Sequence, residues 1–243
     1  MTARTALSVP ATFLRIWEAK GAVPFSPREV EELTDKTGVA NYVTLSRLTR
    51  SGWLLRLSRG RYATAEPLVL MDSHLRDRLA PFRKRCFYPI LQRAVASILQ
   101  VYAGEVTAVA LFGSAARGTD SAESDLDLLV LVERRSSSPM DDARTRARIA
   151  RLSADARMEE WETTRHFHQV QAVIADHSDL DRPGPLFLDL PQDARILWDP
   201  TGMLKGGLRR FASRLRSAGA RRRYSRDLGP YWDLGRAFGE DAL

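Results

Sequence analysis

The sequence predicts an α/β (α+β) chain with a small mixed sheet at its centre, helices before it and a helical tail after it. Two short apolar runs, Val106–Phe112 and Leu126–Val132, predict neighbouring strands. Elsewhere apolar residues recur at helical spacing, and Gly and Pro residues separate the segments. The chain has 243 residues, of which 44% are hydrophobic, so its length suits one large domain or two small ones.

Charge and cysteine content limit the partners and the compartment. The formal net charge is +7, which favours a polyanionic partner, although arginine-rich usage also follows from a GC-rich genome. Cys86 is the only cysteine and can form no intrachain disulfide. No apolar run approaches the roughly 20 residues that span a bilayer, and residues 1–6 lack the apolar stretch of a signal peptide. We expect a cytoplasmic protein without a membrane partner.

The N-terminal residues predict three helices and a β-hairpin. A first helix covers residues 10–20, and a second begins at Ser26, which is followed by Pro and an acid in the first turn. A third helix runs from about Asn41 to Gly52. Residues 53–64 then read as a hairpin with a basic tip.

This order of elements over residues 10–65 resembles a winged helix-turn-helix. The resemblance implies that the third helix enters the DNA major groove and that the hairpin meets phosphates. In this helix Tyr42, Leu45 and Leu48 form the expected apolar stripe. The candidate DNA contacts are the polar residues off that stripe and on the hairpin: Asn41, Thr44, Arg47, Arg50, Arg59 and Arg61. A protein–protein module or a rigid spacer is the alternative.

The rest of the chain divides into three parts. Residues 66–104 predict a helical linker. Residues 105–200 predict the sheet-bearing core, with a charged helix at 140–163 and a third strand at 167–175. Residues 201–243 predict a basic C-terminal helix and tail.

A Gly-Ser turn and an Asp-x-Asp pair flank the loop between the first two core strands. Gly113 has no Cβ and allows a phosphate to approach the backbone. Ser114 offers a hydroxyl where a short helix begins. Asp125 and Asp127 alternate with leucines, so both carboxylates lie on one face of the second strand. Two carboxylate oxygens on a rigid strand edge suit Mg²⁺ when its remaining coordination sites are filled by water and a substrate phosphate.

The segment resembles the signature of the DNA polymerase β-like nucleotidyltransferase superfamily in its minimal form. The resemblance implies a small mixed-sheet nucleotidyltransferase core with an N-terminal winged-helix domain and a C-terminal helical tail. It implies Mg²⁺-dependent transfer of a nucleoside monophosphate from an NTP, with ATP the first candidate, to a protein or RNA hydroxyl. The implied acceptors are a cognate toxin protein, which the chain would modify as its antitoxin, or tRNA. Asp125 and Asp127 would be catalytic and hold the metal, while Gly113, Ser114 and Arg117 would bind the nucleotide.

The chain departs from the superfamily at one position. Active members usually carry a third carboxylate on a later strand, near the position of Gln169 or Gln171 here. Asp176, Asp179 or Asp189 could take its place, and the spacing favours none of them. The alternative function is therefore a DNA-binding transcriptional regulator whose degenerate transferase domain binds nucleotide without turnover. A transferase acting on a cationic small molecule is a third possibility.

Two further side-chain groups are open to a binding interpretation. His166 and His168 alternate on the expected third strand and could bind a metal with a carboxylate. No other His or Cys lies near them in sequence, which favours ordinary strand histidines. Tyr224, Tyr231 and Trp232 could stack on RNA, and core packing is the alternative.

Overall fold

The computed structural model divides the chain into two compact units. It describes residues 9–21, 23–102, 104–135, 138–225 and 229–234. The first unit is formed within residues 1–97 and 150–169, and the second within residues 98–149 and 170–243. Two parts of the sequence prediction lie outside the described residues. They are residues 1–6, which bear on a signal peptide, and the last nine residues of the expected tail.

The described chain contains both helices and strands. Up to residue 101 they are α1 (Ala11–Lys20), α2 (Glu31–Thr34), α3 (Gly38–Arg50), β1 (Leu54–Ser58), β2 (Arg61–Thr64), α4 (Pro67–Met71), α5 (Ser73–Leu79) and α6 (Tyr88–Val101). Beyond it they are β3 (Val106–Phe112), α7 (Gly113–Arg117), β4 (Leu126–Val132), α8 (Pro139–Leu152), α9 (Ala154–Thr164), β5 (Val170–Asp176), α10 (His177–Asp181), α11 (Leu190–Asp193), β6 (Arg195–Trp198), α12 (Met203–Ser217), β7 (Arg221–Ser225) and β8 (Gly229–Asp233). Single 3-10 turns lie at Arg28–Val30, Ala80–Phe82 and Pro185–Leu188.

The first unit has its own apolar core beneath the β1–β2 hairpin. Members of this core come from α1, α3 and the start of the hairpin: Phe13, Ile16, Leu45, Leu48, Trp53 and Leu54. Phe25 adds a backbone bridge to the hairpin, exchanging hydrogen bonds of 2.8 and 2.9 Å with Tyr62. Gly60 turns the hairpin at a φ of +77°. The hairpin and the three preceding helices therefore occur in the order that the sequence predicts, although α2 is only one turn long.

The orientation of α3 corrects two expectations. Asn41, expected at a DNA surface, is fully buried. Its amide nitrogen donates to the Pro27 carbonyl at 2.7 Å, and its amide oxygen accepts from the Thr34 hydroxyl at 2.8 Å. Tyr42, expected in the apolar stripe, is 52% exposed. Asn41 precedes buried Leu45 by four residues, so helical geometry places it on the inward face.

The second unit contains a four-stranded mixed sheet in the order β5-β4-β3-β6. β3 is antiparallel to β4 and β6, whereas β4 and β5 are parallel. The inner residues of the sheet and of α12 form one core, which includes Ala108, Leu129, Leu131, Leu208 and Phe211. The mixed sheet predicted from the two apolar runs is confirmed.

Several boundaries differ from the sequence prediction. The expected helix at 140–163 is two helices, because the backbone leaves helical geometry at Ser153, which is fully buried. β5 starts at Val170 because the preceding His168 amide donates to a Glu160 carboxylate instead of a strand. Residues 150–169, assigned from sequence to the 105–200 core, belong to the first unit.

Two other regions carry more structure than expected. The linker at 66–104 forms three α-helices, of which α5 begins at an Asp72 side-chain cap. After α12 the expected tail contains an antiparallel β7–β8 hairpin. Within the described residues, no helix combines the length and apolar character needed to cross a bilayer.

Candidate functional site

The two halves of the motif lie against each other at the end of β3. Phe112 pairs with Asp127 across the β3–β4 ladder, and Gly113 follows at a φ of +72°. A Cβ placed on Gly113 would lie 2.1 Å from the Asp127 Oδ2 atom. Glycine is therefore required here both by backbone conformation and by the nearby carboxylate.

The paired carboxylates form an electrostatically unfavourable group. Asp125 lies just before β4 and Asp127 within it, and both are half-buried. Burial, followed by the charge of Asp125, raises the pKa of Asp127 above its ordinary value, and the charge of Arg117 opposes this rise. A divalent cation would remove the repulsion, and carboxylate oxygens are ligands that Mg²⁺ prefers. The donor set fits Mg²⁺ shared with a phosphate.

Ser114 and Arg117 occupy opposite ends of the single-turn helix α7. Ser114 is half-buried in the turn that follows β3. Arg117 donates from Nη1 to the Asp193 Oδ2 atom at 3.1 Å. The structure therefore brings Gly113, Ser114, Arg117 and the Asp pair to one end of the sheet.

An ion-pair network that the sequence did not predict holds Arg117. Arg222 makes two hydrogen bonds of 3.1 Å to the Asp193 carboxylate and lies 3.3 Å from Asp189. The Asp193 hydrogen bond raises the pKa of Arg222 further above its ordinary value. Trp232 donates from Nε1 to Asp189 at 2.8 Å and packs, partly buried, against the core of the second unit. These residues are too far apart in sequence for spacing to reveal them.

The structure gives no third carboxylate in register with the pair on the neighbouring strand. Gln171 is the β5 partner of Asp127 and is exposed. Asp176 pairs with Val132, five residues further along β4, which is roughly 16 Å away at the rise of a strand. Asp176 and Asp179 cap α10 reciprocally, and hydrogen bonds from Ser178 lower the pKa of Asp176. Both have structural roles at the far end of β5.

The remaining DNA-contact candidates lie in the first unit. The exposed ones are Arg47, Arg50 and Arg59. Thr44 is half-buried and donates to the Ala40 carbonyl at 3.0 Å. Arg61 lies 3.9 Å from a Glu29 carboxylate. DNA binding by this unit stays a prediction, without Asn41.

The two histidines have neighbours that sequence spacing did not reveal. His166 and His168 precede β5 and lie outside the strand. The Cys86 Sγ atom lies 3.3 Å from the His166 Nδ1 atom, across 80 residues of sequence. The expectation of two ordinary strand histidines is therefore wrong in position and in surroundings.

Comparison with known proteins identifies a similar domain at the motif. Residues 92–172 match the family model described as "Nucleotidyltransferase domain". The search of curated proteins finds no match. Three solved structures are distant likenesses. A toxin–antitoxin crystal structure with AMP-PNP is 18% identical, covering 51% of this chain and 86% of that one, with a TM-score of 0.35.

The other two solved structures have similar identities and TM-scores. A mutant of the toxin–antitoxin MntA-HpeT is 16% identical. The match covers 51% of this chain and 85% of that chain, with a TM-score of 0.33. A proposed nucleotidyltransferase from Sulfolobus solfataricus is 16% identical, with 53% and 90% coverage and a TM-score of 0.32. Over residues 92–172, which include the Gly-Ser turn and the Asp-x-Asp pair, the chain is therefore similar to the nucleotidyltransferase domain family.

Proposed function

We propose that the second unit is a Mg²⁺-dependent nucleotidyltransferase that moves a nucleoside monophosphate from an NTP, with ATP the first candidate, to a protein or RNA hydroxyl. The observation that carries the proposal is the close approach of Gly113 to Asp127, which places the turn against the paired carboxylates. The family match over residues 92–172 supports the same reaction class.

Each residue of the site has a role that its position supports. Asp125 and Asp127 would hold the metal ion, which when bound neutralises the triphosphate and polarises the reacting phosphate. Gly113 leaves the Asp127 carboxylate in place and allows phosphate to approach the backbone. Ser114 would donate its hydroxyl to a phosphate oxygen. Arg117 would add positive charge beside the nucleotide while Asp193 fixes its side chain.

The acceptor follows from the sequence resemblance alone. A cognate toxin protein, which the chain would modify as its antitoxin, or a tRNA would present the attacking hydroxyl. The exposed arginines of α3 and the hairpin would bind operator DNA, largely through phosphates.

One observation favours a second function. Gln171 occupies the register position opposite Asp127, and an amide cannot act as a general base. A DNA-binding regulator that senses a nucleotide without turning it over would need the metal-binding pair but no third carboxylate. Arg47, Arg50 and Arg59 would then supply the DNA contacts.

The deciding experiment measures label transfer and nucleotide binding in the same protein. The full chain is incubated with Mg²⁺ and α-³²P-labelled NTPs, together with total tRNA and candidate acceptor proteins, and each NTP is titrated by calorimetry. The test variant is Asp125→Asn/Asp127→Asn. The matched control is Glu123→Gln, which removes an exposed negative charge from the same loop.

Transfer that the double variant loses and the control keeps supports the transferase. Mg²⁺-dependent binding without transfer to any acceptor supports the regulator. Absence of both binding and transfer in the wild-type chain overturns both functions.

A further inference from the structure

Four side chains with metal-ligating atoms converge in the first unit, whereas the Asp pair belongs to the second unit. Cys86 lies just before α6, Glu160 lies on α9, and His166 and His168 follow α9. One ligand atom from each residue can be chosen so that all four lie within 4.8 Å of one another. The Gly-Ser and Asp-x-Asp motif does not include them.

The cluster is inward-facing and internally bonded. His168 is fully buried and Glu160 is 5% exposed, while Cys86 and His166 are half-buried. The His168 Nδ1 atom lies 2.6 Å from Glu160 Oε1, and the His168 backbone amide donates to Glu160 Oε2 at 2.9 Å. Cys86 Sγ lies 3.3 Å from His166 Nδ1. The hydrogen bond from the His168 backbone amide holds the Glu160 carboxylate beside the His168 ring.

We propose that Cys86, Glu160, His166 and His168 form a zinc site. Thiolate, imidazole and carboxylate are the donors that Zn²⁺ uses, and four of them complete a tetrahedral structural site. With metal–ligand distances of about 2.0–2.3 Å, neighbouring ligand atoms in a tetrahedron lie about 3.3–3.6 Å apart. The Cys86–His166 separation lies within this range, and the His168–Glu160 pair needs to open by less than about 1 Å. The other pairs, which lie within 4.8 Å, need to close by up to about 1.5 Å.

The composition of the cluster favours zinc over two other interpretations. Mg²⁺ selects oxygen ligands and would leave the thiolate and both imidazoles unused. A nucleophilic thiol needs one histidine, as Cys86 has in His166. Such a dyad does not explain why His168 and buried Glu160 also lie within 4.8 Å of the other ligand atoms. A cavity of about 370 Å³ in the same unit is lined by Cys86 and Glu160, which gives an ion a route to the site.

The site would have a structural consequence. It would tie the start of α6 to the end of α9 across 80 residues of sequence. Zn²⁺ that binds only the folded unit stabilises it by mass action, and its removal would destabilise this unit without touching the Asp pair.

The test uses metal analysis and cobalt substitution on the full chain. The purified protein is dialysed against metal-free buffer, its zinc is measured by mass spectrometry, and Co²⁺ is then exchanged for Zn²⁺. Cys86 is the only cysteine, so a thiolate-to-cobalt charge-transfer band can arise only from it. We expect one zinc per chain, tetrahedral cobalt bands with that charge-transfer component, and a lower melting temperature after chelation.

Variants test whether zinc binds at the cluster or at histidines in general. Cys86→Ser and His166→Gln should each lose stoichiometric zinc, whereas His74→Gln, which changes an exposed histidine of the same unit, should keep it. A wild-type chain that retains no zinc and gives no thiolate–cobalt band overturns the proposal without any variant. Equal zinc affinity in Cys86→Ser and His74→Gln would also overturn it.

Discussion

Replacement of Gly113 by alanine tests the geometry of the candidate transferase site most directly. Two penalties act at this position: the positive φ of +72° and a Cβ that would lie 2.1 Å from Asp127 Oδ2. Gly118 provides a matched control, since its φ is +76° and a Cβ there meets nothing within 4 Å. Gly113 is the first residue of the short helix α7, and Gly118 follows its last residue.

The magnitudes separate the two variants. A non-glycine residue in the left-handed region costs about 1–2 kcal/mol, which both variants incur. In Gly113→Ala the Asp127 side chain must also turn away, which adds about 0.5–1.5 kcal/mol for an off-rotamer side chain. We therefore expect Gly113→Ala to lose about 1.5–3.5 kcal/mol of unfolding free energy and Gly118→Ala about 1–2 kcal/mol.

The assay combines denaturant unfolding with calorimetric titration of Mg²⁺ and ATP. Gly118→Ala should keep the nucleotide affinity of the wild type, because it leaves Asp127 in place. Gly113→Ala should lose about tenfold or more, since a 1.4 kcal/mol loss at the metal ligand corresponds to a factor of ten.

A double-mutant cycle isolates the collision. In the Asp127→Ala background the carboxylate is absent, so Gly113→Ala should cost no more than Gly118→Ala. Equal costs of the two glycine substitutions in the wild-type background would refute the steric argument. Undiminished nucleotide binding by Gly113→Ala would refute the placement of Asp127 at the metal.

Three further predictions concern the charges around the site. Because the folded state raises the pKa of Asp127, its carboxyl contributes stability that is present below the ordinary value of 3.8 and is lost as pH rises through the folded pKa. Asp127→Asn should therefore raise the metal-free melting temperature at pH 7 but not at pH 3, and no difference between the two pH values would contradict this sign. Asp193→Asn should cost about 1–3 kcal/mol in denaturant unfolding, because it weakens the bonds of Arg117 and Arg222 to a mostly buried carboxylate. A neutral effect would show that the network adds no stability. Gln171→Glu should strengthen Mn²⁺ binding in a titration, since it adds a carboxylate in register with Asp127, and unchanged binding would show that this position does not reach the metal.

The sequence predicted the parts of the fold that depend on local pattern. β3 and β4 were predicted to the residue, because strands buried within a sheet form nearly continuous apolar runs. The order of the sheet and the pairing of β6 with β3 could not be predicted, since they depend on contacts between distant residues. The burial of Asn41 was missed because a buried amide with two hydrogen-bond partners looks, in sequence, like any polar surface residue.

The same distinction explains which site residues were found. Gly113 and Asp127 are 14 residues apart on adjoining strand ends, so a hairpin-like connection brings them together without further information. The bond between Arg117 and Asp193 spans 76 residues, and the contact between Cys86 and His166 spans 80. No periodicity relates positions at such separations, and only the fold brings them within hydrogen-bonding distance.

Electrostatics gives an independent argument for the cation site that we propose at the Asp pair. Burial and then the charge of Asp125 raise the pKa of Asp127, so in the metal-free fold both oppose ionisation of this carboxyl. Arg117 is the cation that offsets this effect, and its guanidinium donates to Asp193. Uncompensated charge of this kind is a cost to folding that concentrates at functional sites. A divalent ion carried by a nucleotide would reverse the sign of the interaction, because each carboxylate would then face two positive charges instead of one negative charge. The pair is therefore better explained as a ligand set than as part of the stabilising framework of the sheet.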